Sequence, residues 1–290
     1  MTDKLLKTLQ CPQCAGSLET AAGALRCANG HTFHATGGIP DLVSPPVLAA
    51  SDAEFLEKYD TTAYAYETGL RWLFTSFRED EDAVRSLMAD ALGPVTGGFV
   101  LEVGAGTGAD SQRILERVGP NGFLVATDLS RGMLEIARTK LNAGDERIAF
   151  VLCNGSYLPF RDRAFDAVFH FGGINEFSEK RRSISEMARV TKIGGRVVFG
   201  DESVPPWLRD KTFGRVLMNA NKLYRHVPPL DDLPEAARNV QLRWVLGGAF
   251  YLLSFDVGEG APYVDLDLPI PGKGDSLRSR FERAYPDERL

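Results

Sequence analysis

Residues 99–115, FVLEVGAGTGADSQRIL, decide how the rest of the chain is read. Phe99, Val100, Leu101 and Val103 form an apolar run that feeds directly into Gly104, Gly106 and Gly108, and Ile114, Leu115 and Val118 then recur at helical spacing. That order is a strand, a tight turn and a helix. Glycines in such a turn permit positive φ and close backbone approach. The helix behind them offers free N–H groups and the positive end of its dipole to whatever lies above. Glu102 stands two residues ahead of Gly104, at the end of a buried strand. A carboxylate there must meet donors or a cation, or shift its pKa.

Outward from this turn, strands and helices alternate. The patterning predicts strands at 98–103, 122–127, 148–152, 165–170 and 195–200, and helices at 108–118, 131–142 and 178–191. This is the rhythm of a parallel sheet covered on both faces. NVQLRWV (239–245) and AFYLLSFDV (249–257), joined through Gly247 and Gly248, add a hairpin at the sheet's end. Upstream, 51–92 reads as helical, with Ser51 and Glu54 spaced as a capping box. The glycine spacing is E-x-G-x-G-x-G, not the G-x-G-x-x-G of a dinucleotide turn, which disfavours NAD. Asp128 ends the second strand, where an acidic side chain accepts from both ribose hydroxyls. Asn154, Gly155 and Ser156 end the third, placed to read an adenine edge.

Five segments in this order, VLEVGAGTG (100–108), TDLS (127–130), NGSYLPF (154–160), FDAVFHF (165–171) and VTKIGGRVVFGDE (190–202), resemble the successive motifs of class I S-adenosylmethionine methyltransferases. The resemblance implies an α/β fold over 96–257, a doubly wound, seven-stranded sheet with its last strand antiparallel. It implies that Glu102 faces the methionine end of the cofactor and that Gly104, Ala105 and Gly106 lie against its amino-acid part. Asp128 holds the ribose, Leu129 and Leu158 sandwich the adenine, and Asn154, with Gly155 and Ser156, meets the adenine amino group. Most family members carry Asp where this chain has Asn154, whose amide oxygen still accepts from an amino group.

CPQCAGSLETAAGALRCANGHTF (11–33) gives C-x2-C, twelve residues, then C-x3-H. Two such pairs on tight knuckles suit tetrahedral Zn²⁺, with Cys11, Cys14, Cys27 and His31 as ligands and His34 in reserve. So short a module cannot stabilise itself by burial, and metal binding is coupled to its folding. With NGHTF and GGIPDLV, residues 1–44 resemble the zinc ribbon that precedes the methyltransferase domain of ribosomal-RNA guanine methyltransferases. Cys153, at a buried strand end, reads as a core thiol.

Ligands of doubly wound sheets sit beyond the carboxyl ends of the strands, which points to HFGGINEF (170–177) and GDES (200–203) for the methyl acceptor. His170, Glu176 and Asp201 are the candidate catalytic groups there, beside Asn175 and Glu202, and His170 is also a candidate neighbour of the cofactor. The aromatic run 59–74 within 45–95 reads as a helical lid or linker. The insert at 203–238, carrying Trp207, Phe213, Leu217, Met218, Tyr224 and His226, reads as a roof over the acceptor, and 258–290 as a surface tail. YLPFRDRAFDAVF and EMARVTKIGGRVVFGDE resemble the small-molecule branch that includes quinone-biosynthesis methyltransferases. The expected activity is therefore methyl transfer to a small, partly apolar acceptor. The alternatives are a ribosomal-RNA guanine methyltransferase and a non-catalytic cofactor-binding scaffold whose ribbon docks a partner. A net charge of −6, and a first fifty residues with three basic and three acidic side chains, disfavour RNA and exclude DNA as the general partner. No apolar run is long enough for a signal peptide or a membrane span, so the expected location is cytoplasmic.

Overall fold

The computed structural model describes residues 2–21, 23–141 and 144–288, and all of their side chains except those of residues 60–66. The chain forms two compact units, Met1–Gly258 and Glu259–Leu290. The first begins with a short helix α1 (Asp3–Thr8) and a four-stranded sheet of β1 (Leu18–Ala21), β2 (Ala24–Cys27), β3 (Thr32–Thr36) and β4 (Ile39–Pro40), paired in that order. Helices α2 (Ala50–Phe77) and α3 (Glu81–Asp90) follow. The chain turns between them at Arg78, in the left-handed region, and Asp80 caps α3 by accepting from the Ala83 N–H. The sequence placed a capping box at Ser51. Helix α2 instead begins at Ala50, so Ser51 lies inside the first turn and no side chain caps this end.

Next come β5 (Phe99–Val103), α4 (Ala109–Val118), β6 (Phe123–Asp128), α5 (Arg131–Lys140), β7 (Ile148–Leu152), β8 (Phe165–Phe171), α6 (Lys180–Val190) and β9 (Thr191–Glu202). Helix α7 (Thr212–Ala220) lies in the insert, before β10 (Ala237–Val245) and β11 (Phe250–Val257). The seven strands order as β10-β11-β9-β8-β5-β6-β7. Strands β5 to β9 pair in parallel, and β11 runs antiparallel to both neighbours, as expected from the sequence. Strand β9 starts earlier than its apolar core suggested, because Thr191 already pairs with Phe165 before a bulge carries the chain to the Ala167–Arg196 pair.

The pleat sends alternate β5 residues to opposite faces. Leu101 and Val103 join Ile184 and Met187 of α6 in one core, whereas Val100 joins Met88 of α3 and Ile114 of α4 in the other. The N-terminal module packs into the first of these cores. Leu5, Leu9 and Leu42 are buried with Leu158 and Phe160, the Leu42 N–H donates to the Leu152 carbonyl at 2.9 Å, and the Gln10 N–H donates to that of Pro159 at 3.0 Å. It therefore abuts the β7 edge of the seven-stranded sheet through isolated bridges, Asp41 to Leu152 and Leu9 to Phe160.

The second unit contains α8 (Leu277–Ala284), capped by Ser276, with Arg278 paired to Asp267 and both Arg280 and Arg283 to Asp275.

Candidate functional site

Two cavities meet over the β5–α4 turn at the carboxyl ends of the parallel strands. The first holds about 840 Å³ of empty space, within the range of small-molecule sites. Gly104, Gly106, Asp128, Leu129, Asn154 and Gly155 line it, with His170 and Phe177. Asp128 closes the turn: one carboxylate oxygen accepts from the Gly106 N–H and the other from the Ser130 N–H, both at 2.8 Å. Gly104 sits at φ +67°, and a Cβ there would lie 3.2 Å from His170 Nδ1. At Gly155 a Cβ would come within 2.9 Å of both Phe177 and Val103, so only glycine leaves this wall open.

His170 is fully buried, and burial lowers its pKa, which keeps the ring neutral. In that state Nδ1–H donates to the Val103 carbonyl at 2.7 Å. Nε2 is then an acceptor, and it has no partner. The Asn154 amide oxygen already accepts from the Ser156 N–H at 2.8 Å, which leaves it one lone pair, and the amide NH₂ is a second group it can offer a ligand. Leu158 does not line the cavity. It is buried beneath the N-terminal module, and Met133 and Phe177 supply apolar wall beside Leu129.

The second cavity shares Tyr59, Gly104, Gly106, Gly172, Gly173 and Glu176 with the first. Beyond them lie Arg85, Asp110 and Glu202, and apolar walls from Leu73, Phe74, Phe171, Leu223, Leu246 and Phe250. Arg85 is almost fully buried and pairs with Asp110 at 2.7 Å and Glu81 at 2.8 Å. It is the one cation lining either cavity among the described residues. Sequence reading missed it, since one arginine on an amphipathic helix carries no mark. Glu102 lines neither cavity. It shares Val100's face of β5, under α4, where the Ser111 hydroxyl donates to it and burial, with Asp110 nearby, pushes its carboxyl well above the usual range.

The acceptor-side candidates divide. Glu176 touches both cavities, near Tyr59 (3.3 Å) and Lys58 (3.7 Å), and burial raises its pKa. The structure corrects the expectation for Asp201. Its oxygens accept from the N–H groups of Gly173, Asn175 and Glu202, so it pins the loop after β8 and does not line a cavity. Of the inserted segment only Leu223 reaches the second cavity, whereas Trp207 is 63% exposed against the edge of Trp244. Of the aromatic run, Tyr59 lines both cavities, and the side chains of Tyr64 and Tyr66 lie outside the described residues. Asp52, unmarked in the sequence, fastens α2 to the loop before α6 by accepting from the Ser178 N–H and hydroxyl.

Residues 100–195 match a family described as a methyltransferase domain, and the sheet has the seven strands and the antiparallel last strand that the class I resemblance implies. The chain contains a class I methyltransferase domain. Among curated relatives, a demethylmenaquinone methyltransferase of Clavibacter sepedonicus is 41% identical over 116 residues, 40% of this chain and 46% of that one. Another, from Renibacterium salmoninarum, is 34% identical over 163 residues, 56% of this chain and 61% of that one. This chain thus spans about half of the length of the relatives it matches. In solved structures the fold recurs in phosphoethanolamine N-methyltransferase 2 of Haemonchus contortus (TM-score 0.56, 16% identity, 74% of this chain and 62% of that one). It recurs also in the [4+2]-cyclase SpnF (TM-score 0.54, 16% identity, 74% and 99%). A methyltransferase-like fold thus also carries the name of a cyclase, and the site has to be argued from its own residues.

Beside the methyltransferase domain, Cys11, Cys14, Cys27 and His31 bring four ligand atoms within 4.8 Å of one another. His31 Nδ1 lies 3.4 Å from Cys11 Sγ and 3.3 Å from Cys27 Sγ, and the Sγ atoms of Cys14 and Cys27 are 3.8 Å apart. His34 is exposed on β3 and is not part of the cluster. Cys153 is buried at the wall of the first cavity, its thiol pushed up to about 12 by burial, which keeps it protonated.

Glu202 carries a pH prediction for the methyltransferase domain. Burial and the adjacent Asp201 raise its pKa well above the usual carboxylate value of 4.5, so above that pH the folded chain retains a proton that the unfolded chain has released. Its contribution to stability therefore falls as pH rises from about 4.5 towards the folded pKa. Glu202→Gln removes this slope. Its melting temperature relative to wild type is expected to rise with pH across that window, as a series of thermal melts will show.

Proposed function

We propose that the chain transfers a methyl group from S-adenosylmethionine to a small, quinone-like acceptor. The observation that carries this reading is the continuous pair of cavities, with a nucleoside-shaped set of polar groups at one end and, at the other, an apolar chamber lined also by Asp110, Glu176 and Glu202. The residues present fit the cofactor. Asp128 suits the ribose hydroxyls, the Asn154 amide NH₂ an adenine ring nitrogen, and Leu129, Met133 and Phe177 the faces of the base. The neutral Nε2 of His170, buried and unpartnered, is an acceptor for an ammonium. Arg85 offers the cation that an α-carboxylate requires, and Asp110 a second partner for the α-ammonium.

When bound, the cofactor supplies an electrophilic methyl on sulfonium. The chain's part is to hold the acceptor in line with it, exclude water and take a proton. Phe171, Phe250, Leu223 and Leu246 exclude water from the chamber. Glu176, half-buried between the cavities, is the group placed to receive a hydroxyl proton from an electron-rich ring. The names of the relatives, demethylmenaquinone methyltransferases, support a ring of that kind. Residues 11–31 are proposed to hold one zinc ion.

The test is incubation of the full chain with methyl-labelled S-adenosylmethionine and, in parallel, 2-alkyl-1,4-naphthohydroquinones or ribosomal RNA. Label is expected in the hydroquinone. Label in RNA alone, or in neither, overturns the reading.

A further inference from the structure

The inserted segment 205–228 has a character unlike the rest of the chain. It carries Arg209, Lys211, Arg215, Lys222 and Arg225 against the single acid Asp210, in a protein whose net charge is −6. None of the five cations forms an ion pair among the described residues. Arg209 donates to the backbone carbonyls of Val204, Arg225 and His226, and Arg225 to that of Met218, contacts that leave both charges uncompensated. Helix α7 packs Phe213, Leu217 and Met218 inward on the core. Its outer side presents Arg215 and Val216, flanked by Lys211 and Lys222. Apolar groups stand among these cations in the open: Trp207 is 63% exposed, Val216 59% and Val227 60%.

We infer that the inserted segment 205–228 is a docking surface for an anionic lipid bilayer. Interfacial segments combine Lys and Arg with exposed tryptophan and aliphatic side chains, because the cations meet lipid phosphates while the apolar groups leave water for the acyl boundary. A phosphate backbone would reward the cations but not Val216 and Val227, which have nothing to stack on a base. A tryptophan braced edge-on by Trp244 suits the headgroup layer, with an apolar ring and one N–H donor. Leu223 belongs to the same segment and forms wall of the second cavity, so the docked face adjoins the chamber assigned to the acceptor. Delivery of a lipid-soluble acceptor rests on the proposed activity; the docking does not.

The test is sedimentation of the full chain with vesicles of phosphatidylcholine alone, or with about a quarter phosphatidylglycerol, at low and high salt. Binding is expected on the anionic vesicles only, and to be lost at about 0.5 M salt. Each Lys or Arg near an anionic surface is worth about fivefold in partitioning, so Lys211→Gln, Arg215→Gln and Lys222→Gln together should weaken it about a hundredfold. Lys211→Arg with Lys222→Arg should preserve it. Trp207→Ala should cost about tenfold from lost apolar burial. All these positions are exposed, and unchanged melting temperatures will show that the variants fold. Absence of binding, equal binding to neutral vesicles, or binding that the triple variant leaves intact overturns the proposal. Tighter retention on RNA at matched phosphate concentration overturns it in favour of a nucleic acid.

Discussion

Asp128→Asn is expected to weaken binding of S-adenosylhomocysteine by about 70-fold to 1,000-fold, although the two side chains are nearly the same size. The wild-type carboxylate accepts from the Gly106 N–H with one oxygen and from the Ser130 N–H with the other, and it lines the cavity. An asparagine has one oxygen. Whichever N–H keeps it, the amide NH₂ must face the other, donor against donor. The turn over which the cofactor's amino-acid part would lie is displaced, and the charge available to a ribose diol is lost. Hydrogen bonds to a charged group contribute about 1.5–3 kcal/mol each and a stranded buried donor costs a further ~1–3 kcal/mol; the lower part of their sum, about 2.5–4 kcal/mol, corresponds to that range. Titration calorimetry with the product nucleoside checks it independently of any acceptor. An affinity within threefold of wild type would sink the assignment of Asp128 and, with it, the orientation of the cofactor.

The fold was legible because its signals are periodic. The runs expected to end at Val103, Thr127, Leu152 and His170 stop within one residue of where each strand stops, and Gly247 and Gly248 mark the hairpin that brings β11 back antiparallel. The site was legible only where chemistry follows a strand end directly, as at Asp128, Asn154 and His170. Glu102 shows where linear reading fails. Linear order puts this acidic residue one position before the strand's last residue and beside the turn, yet the two-residue pleat places it on the α4 face, and Ser111, nine residues on, claims it. Asp201 fails for a related reason: three backbone N–H groups brought together by the fold hold it against the loop after β8, and it lines neither cavity. Arg85 and Asp52 act through partners 25 and 126 residues away, which no local pattern encodes. Glu176 was visible because its loop is short and begins at a strand end.

Removing a metal from the N-terminal module should unfold more than the module. Four ligands at about 2.3 Å from a zinc ion form a tetrahedron whose edges are about 3.8 Å, and somewhat less where a nitrogen replaces sulfur. The distances of 3.8 Å between Cys14 and Cys27 and 3.3–3.4 Å from His31 to Cys27 and Cys11 fit that figure. The strands around the cluster have four, four, five and two residues, too few to bury a core of their own. Metal binding at such sites is worth an apparent ~10–16 kcal/mol, which is then folding free energy. Here the loss propagates, because Leu5, Leu9 and Leu42 share one core with Leu158 and Phe160 next to the cavity wall at Asn154. A strong chelator, or Cys14→Ser, is therefore expected to lower the melting temperature of the whole first unit in a single transition and to weaken nucleoside binding, although no cysteine ligand touches the cavity. His34→Ala should do neither, since that side chain is exposed and outside the cluster. Elemental analysis of the purified chain should find one zinc per molecule. A metal-free chain with an unchanged melt, or two separate transitions on chelation, would show that the cysteines do not hold a metal or that the module does not support the sheet.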